Sequence, residues 1–274
     1  LEGVMMNIGS TSSGGGLLDQ INKKQDSVFE KLASGKKVNK AADAAAAQQI
    51  IERLTAESNA YQQSVRNAYD GVSLSQVADG ALQGVNEDAQ RIRELTVQAG
   101  NGILGDSDRN AIQKEITQLQ EGISDTLSNT EFNGKSLFSQ DSEFSFQVGS
   151  GAGQTKSVET SDLATQLGSL GLGSIDVTAP GGVEAALESV DNISQAVSEQ
   201  RGDLGATQNA FESSIKNLTT ANENVQAARS RLQDTDYAQA SAERAQNDVL
   251  SQSAVAVQTQ SSQANSSAVL SLLG

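Results

Sequence analysis

Apolar residues recur at helical spacing along most of this chain. From Leu187 to Leu232 the set Leu187, Val190, Ile193, Val197, Leu204, Phe211, Ile215, Leu218, Val225 and Leu232 falls at threes, fours and sevens, the signature of one buried helical stripe. No proline interrupts it. The spacing predicts a helix from about 187 to about 270, roughly 125 Å long at 1.5 Å per residue. A compact globule of 274 residues has a radius of gyration of only about 19 Å. The expected fold is therefore mainly α: an elongated rod of long antiparallel helices, with coiled-coil terminal arms and a small β-hairpin region. The ends of such a rod need partners.

The other elements follow from the same pattern. A first arm carries Leu18, Ile21, Val28 and Leu32 at heptad spacing, with polar Gln25 in the seam. Gly35 interrupts it, and Asn39 and Asp43 offer turn or cap chemistry before an alanine-rich restart. A long helix runs through Leu54, Tyr61, Val65, Val72, Leu82, Val85, Ile92 and Leu95, and Gly100, Gly102 and Gly105 break it. Ser107 is placed to cap a third helix with Ile112, Ile116, Leu119, Ile123 and Leu127 on one face. Beyond it the character changes. Asn133-Gly134 is a tight-turn dipeptide, Phe144 and Phe146 alternate as in a strand, and Gly149 to Gly153 reads as loop. Leu163 to Gly173 fits helix or strand, and Pro180-Gly181-Gly182 closes the segment.

Composition removes most catalytic chemistry. The chain has no Cys, His or Trp and a single proline. It thus lacks disulfides, thiolate metal sites, the commonest metal ligand and the usual general base. Its carboxylates are scattered along helices, so no cofactor, metal or enzymatic activity is expected. A net charge of −15 argues against nucleic acid, which is bound through dense Lys/Arg patches. No stretch approaches the ~20 apolar residues of a membrane span. Met5, Met6 and Ile8 lead into Ser-Thr-Ser-Ser-Gly-Gly-Gly, without the basic start and apolar core of a cleavable signal. Leu1 to Val4 precede Met5 and read as an added remnant or an upstream start.

The far end is unusual in a different way. No charged side chain occurs from Val249 to Gly274, while Ser, Gln, Asn and Thr abound. Leu250, Ala254, Val257, Ser261, Ala264, Ala268 and Ser271 keep a heptad with small and polar members. An isolated monomer would leave such a segment frayed. Packed among copies of itself it would be helical, because charge there costs several kcal/mol and small residues permit close approach.

Several motifs carry a family resemblance. Leu32-Ala-Ser-Gly-Lys-Lys-Val-Asn39, Arg66-Asn-Ala-Tyr-Asp-Gly-Val-Ser-Leu-Ser-Gln76 and Gln90-Arg-Ile-Arg-Glu-Leu-Thr-Val-Gln98 resemble the N-terminal signature of the bacterial flagellins. Glu115-Ile-Thr-Gln118 and Phe132-Asn-Gly134 match as well. Ala228-Arg-Ser-Arg-Leu-Gln-Asp-Thr-Asp-Tyr-Ala238 and Val269-Leu-Ser-Leu-Leu273 resemble the C-terminal signature. Together they cover roughly residues 30–140 and 185–274, in order.

The resemblance implies a flagellar filament subunit for swimming motility, in a minimal form with little or no outer variable domain. It divides the chain into an N-terminal core arm (1–40), the first half of a helical rod (41–140) and a short β/loop segment in place of the variable domain (141–184). The second half of the rod (185–244) and a C-terminal core arm (245–274) follow. Assembly is expected to run through Leu18, Ile21, Val28, Leu32, Leu250, Ala254, Val257, Ala264, Ala268, Val269 and Leu272. The implied partners are further copies of the chain, the flagellar cap and hook-associated proteins, and an export chaperone on the C-terminal arm. The implied location is the extracellular filament, reached by type III export without signal cleavage.

Gln90, Arg91, Glu94, Leu95 and Glu115 match the patch through which flagellins engage the Toll-like receptor of innate immune recognition. On physical grounds alone Arg91 and Glu94 are solvated helix charges and Leu95 is core. Arg201-Gly202-Asp203 resembles an integrin-binding tripeptide but lies inside an expected helix. Asn192, Asn217 and Asn265 fit the N-glycosylation pattern, also within helices.

Two relatives of this reading stay open: the hook–filament junction protein of the same superfamily, and a minor or specialised flagellin. The Ser12 to Gly16 stretch, the Ser- and Gln-rich C-terminal arm and the terminal Gly274 depart from the usual flagellin pattern. A secreted coiled-coil effector would need an apolar hairpin that is missing here. A zinc-protease insert would need histidines the chain does not have.

Overall fold

The computed structural model describes residues 9–40 and 44–273, with side chains from Gly16 onward except at 265 and 268–273. The expectations for Leu1 to Ile8, Asp43 and Gly274, and for the side chains of Ser12 to Gly15, Asn265, Ala268, Val269, Ser271 and Leu272, lie outside the described residues. The elements in chain order are α1 (Gly9–Ser34), α2 (Ala45–Ala99), α3 (Asp106–Asn129), β1 (Glu131–Phe132) and β2 (Lys135–Ser136). They continue with β3 (Ser142–Gln147), β4 (Thr155–Thr160), α4 (Leu163–Ser169), a 3-10 turn (Leu172–Ser174), α5 (Gly182–Gln233) and α6 (Tyr237–Leu273). The molecule is mainly helical with a small antiparallel hairpin region. It divides into two compact units, one of residues 1–56 with 224–274 and one of residues 57–223.

In the central unit α2 runs antiparallel to both α3 and α5. Arg91 meets Glu115 of α3, while Asp79 and Ser58 meet Arg201 and Asn222 of α5. Most of the buried positions of α2 fall in two interleaved heptad series. Ala68, Ser75, Leu82, Ala89 and Thr96 form one, and Gly71, Ala78, Val85, Ile92 and Ala99 the other. This is the knobs-into-holes spacing. Small residues at the seam let α5 approach closely. A Cβ added at Gly71 would sit 2.6 Å from the ring of Phe211. Phe146 of β3 packs edge-on against that ring, centroids 5.7 Å apart at 86°.

The hairpins extend this core. Asn133 and Gly134 both have positive φ (52° and 74°) between β1 and β2, the geometry a two-residue primed turn requires. β3 and β4 pair antiparallel with Phe144 opposite Val158 and Phe146 opposite Lys156. The ambiguous run from Leu163 becomes α4, capped by Asp162, and then the 3-10 turn. Leu163, Leu167, Leu172, Ile175 and Val177 are buried with the helices, so this segment belongs to the central unit's core.

Two local expectations are corrected. The predicted continuous helix from 187 to 270 is interrupted at 234–236. There Lys37 N–H donates to the Gln233 carbonyl and Thr235 N–H donates to the Gly35 carbonyl (3.0 Å), so the backbone leaves the helix to pair with residues 35–37. The Asp236 carboxylate restarts it, accepting from the N–H groups of Ala238 (2.9 Å) and Gln239 (3.2 Å). Gly35 has φ 69°, and the Tyr237 hydroxyl lies 3.1 Å from where its Cβ would be. Similarly, Ser107 does not cap α3. The cap is Gly105, whose N–H donates to the Asp108 carboxylate at 3.2 Å, which leaves Ser107 inside the first turn.

Candidate assembly surface

In the terminal unit α1 and α6 run antiparallel. Leu17 and Ile21 share a groove with Leu250, Ala254 and Val257, and Gln25 Nε2 donates to Asp248 Oδ1 at 2.6 Å. The heptad of α1 explains its own packing: Ile21 and Val28 are buried, Leu18 and Leu32 half-buried. On α6 the pattern is less satisfied. Ala254 is half-buried and Ala264 exposed, while Leu250 keeps 54% and Val257 66% of its surface in solvent. The groove between the helices encloses about 350 Å³.

Further apolar residues sit beside this seam. Leu17, Phe29, Val249 and Val255 are largely exposed in the same unit. Sequence reasoning did not single them out because they fall one step off the heptad. Their signal was the adjacency of a second apolar residue to each seam position: Leu17 beside Leu18, Phe29 beside Val28, Val249 beside Leu250. A helix with apolar residues on two neighbouring stripes has more surface to bury than one partner covers.

The second predicted site lies in the central unit. Arg91 Nη2 meets Glu115 Oε1 at 2.9 Å and its Nη1 meets Glu94 Oε2 at 3.0 Å. These hydrogen bonds, donated by Arg91 to Glu115 first and Glu94 second, raise the already high pKa of the guanidinium, so it stays charged throughout the accessible range. Gln90 is exposed on the same helix. Leu95 is only 2% exposed and packs in the core, so it is not on the surface that Gln90, Arg91, Glu94 and Glu115 present. Nearby, burial and then the neighbouring Glu87 charge push the Asp88 carboxyl above its ordinary pKa.

The other motifs are placed plainly. Arg201 lies within α5 and its Nε binds Asp79 Oδ1 at 2.7 Å, so the Arg-Gly-Asp tripeptide is helical and its arginine engaged. Asn192 and Asn217 are also in α5. Among the described residues no group of three or more acidic side chains is arranged to hold a metal ion, and no helix is long and apolar enough to cross a membrane.

Comparison with known proteins gives a consistent set of matches. The profile of the bacterial flagellin N-terminal helical region matches residues 10–143, and that of the bacterial flagellin C-terminal helical region matches residues 187–273. The chain is 37% identical to a flagellin of Halalkalibacterium halodurans over 89% of its length and 90% of the relative's. It is 34% identical to the flagellar filament 30.7 kDa core protein of Treponema maltophilum, covering 85% of this chain and 86% of that one. Among solved structures, Bacillus cereus flagellin superposes with a TM-score of 0.50 at 27% identity, over 60% of this chain and 94% of that one.

Proposed function

We propose how the subunits join, on the premise that this chain belongs to the bacterial flagellin family and is a structural subunit of the flagellar filament. The terminal unit is the joining element. Its self-assembly residues are Leu18, Ile21, Val28 and Leu32 on α1, with Leu250, Ala254, Val257, Ala264, Ala268, Val269 and Leu272 on α6. The observation that carries this reading is the part of α6 from Val249 onward, which has no charged side chain and whose Val249, Leu250, Val255 and Val257 remain largely in water. Covering them with neighbouring copies stabilises by about 25 cal/mol per Å² removed from water. A non-closing operator turns that repeated contact into a filament.

The arms 1–40 and 245–274 are the filament-core segments, and 41–140 and 185–244 are the two halves of the helical rod, with the short β/loop segment 141–184 between them in sequence. The chain acts as a structural element and not as an enzyme. It leaves the cell through the flagellar export channel, its C-terminal arm shielded by a chaperone, and meets the cap and hook-associated proteins in the growing structure. The exposed cluster Gln90, Arg91, Glu94 and Glu115 is the proposed contact for the flagellin-sensing Toll-like receptor, and Leu95 supports it from beneath. Arg91→Ala should then weaken receptor activation in a reporter assay, and an unchanged response would remove this assignment.

Electron microscopy of purified chain with short filament seeds tests the assembly reading. Long helical filaments are the expected result. Short caps or chains that never elongate would point to a junction protein.

A further inference from the structure

The sequence contains two Asn-Gly pairs, Asn101-Gly102 and Asn133-Gly134. All four residues are exposed, so access of water does not separate the pairs. Their backbones do. Asn133 is the only non-glycine residue with positive φ among the described residues. Its left-handed geometry turns the following peptide nitrogen to the side away from Cβ. The turn is clasped by the pairing of Phe132 with Lys135, and the Leu137 N–H donates to the Thr130 carbonyl at 3.0 Å. Leu137 and Phe138, directly beyond, are fully buried, so the turn opens only by pulling on the central core.

Asn101 sits differently. It lies in the loop between α2 and α3, outside the left-handed region. The Leu104 N–H donates to its carbonyl at 3.1 Å, and the Ile103 N–H donates to its Oδ1 at 3.3 Å. The second bond makes an Asx turn, which folds the carboxamide back along the following peptide and brings Cγ toward the Gly102 nitrogen. The donor on Oδ1 also draws electrons from Cγ. Among the described residues no hydrogen bond holds the Gly102 N–H. A Cβ added at Gly102 would meet nothing within 4 Å, so nothing packs over this peptide.

We propose that Asn101 is a site of spontaneous covalent modification, from which Asn133 is protected by its turn. The Gly102 nitrogen bonds to Asn101 Cγ, and the Cγ–Nδ2 bond breaks. The Nδ2 group leaves as ammonia, carrying away the Gly102 amide proton. Water then adds across one of the two C–N bonds of the resulting succinimide. One opening leaves aspartate. The other leaves isoaspartate, with the main chain running through the side-chain carboxyl carbon. Either product adds a negative charge to a loop that leads into Asp106 and Asp108, and isoaspartate also lengthens the loop backbone by one carbon. The α2–α3 loop thus changes charge and path as the chain ages, with no enzyme required.

Peptide mass spectrometry of the purified full chain, aged in mildly alkaline buffer, tests this. Trypsin separates the two asparagines into residues 94–109 and 115–135. Conversion at Asn101 should outpace conversion at Asn133 by about tenfold or more, because the second reaction must await local opening of a packed turn. In denaturant the two rates should converge, since the turn no longer exists. Gly102→Ala places a methyl group in open space but crowds the attacking nitrogen. It should slow conversion at Asn101 by a similar factor and leave the circular dichroism melt unchanged. Equal rates in the folded chain, or a faster Asn133, would overturn the proposal. So would a difference that survives in denaturant, because flanking sequence and not the fold would then set it. An unslowed Gly102→Ala chain would overturn the succinimide route. None of these outcomes depends on whether the chain assembles.

Discussion

The central and terminal units use the same helical pattern to opposite ends. In the central unit α2, α3 and α5 bury nearly every seam residue, down to a glycine shaped to receive the Phe211 ring. In the terminal unit α1 and α6 bury Ile21 and Val28 but leave Leu17, Phe29, Val249, Leu250, Val255 and Val257 largely in water. Three helices and two hairpins can enclose a core, whereas two helices can share only a seam. A protein that builds filaments benefits from this division. The central unit closes its core within one chain, and the terminal unit leaves apolar residues that, in the proposed reading, neighbours cover.

The largest effect should come from removing the incomplete unit. Deletion of residues 245–274, or of 1–40, should abolish filament formation by electron microscopy while circular dichroism still reports a folded helical remainder. Filaments from either truncation would break the comparison. Next comes a pair of substitutions that should behave oppositely. Phe211→Ala should lower the stability of the central unit by about 3–5 kcal/mol in denaturant melts. Leu250→Ala should change monomer stability by less than about 0.5 kcal/mol yet raise the concentration needed for assembly.

Smaller effects sharpen the contrast within the central unit. Arg201→Ala removes a half-exposed pair with Asp79 and should cost no more than about 1 kcal/mol, less at high salt. The smallest is Asp176, whose carboxyl is held below its ordinary pKa chiefly by the Thr178 hydroxyl and then by the Thr178 N–H. A depressed folded pKa means that this turn contributes stability above the unfolded carboxylate value near pH ~4 and loses it as pH falls through the folded value. Asp176→Asn should therefore melt slightly earlier than wild type at neutral pH and converge with it in acid.

Much of this was legible in the residues. The seams of α3 and α5, the Asn133-Gly134 turn and the Phe144/Phe146 alternation follow from spacing alone. The seam of α2 was legible only at Leu82, Val85, Ile92 and Leu95, because Ala68, Gly71, Ser75 and Ala78 are small residues that carry little apolar signal. The seam residues Ile21 and Val28 were likewise readable. The break at 234–236 was not, because Asp-Thr-Asp is compatible with helix and only pairing with residues 35–37, far away in sequence, draws it out. Leu163 to Gly173 was ambiguous because a short apolar run fits strand or helix, and packing beside Phe138 resolved it, with Ala164 N–H donating to that carbonyl. Leu95 carried two readings, surface patch and core, and it is buried in the core.

By itself the sequence determined which faces of which helices are apolar, where charge stops, and which side chains, cysteine and histidine among them, are missing. Those properties are local, written in periodicity and side-chain type. Only the tertiary structure decided where the long C-terminal helix breaks and which apolar residues stay uncovered. Burial depends on what a face meets across space, and no periodicity within one helix specifies its partner.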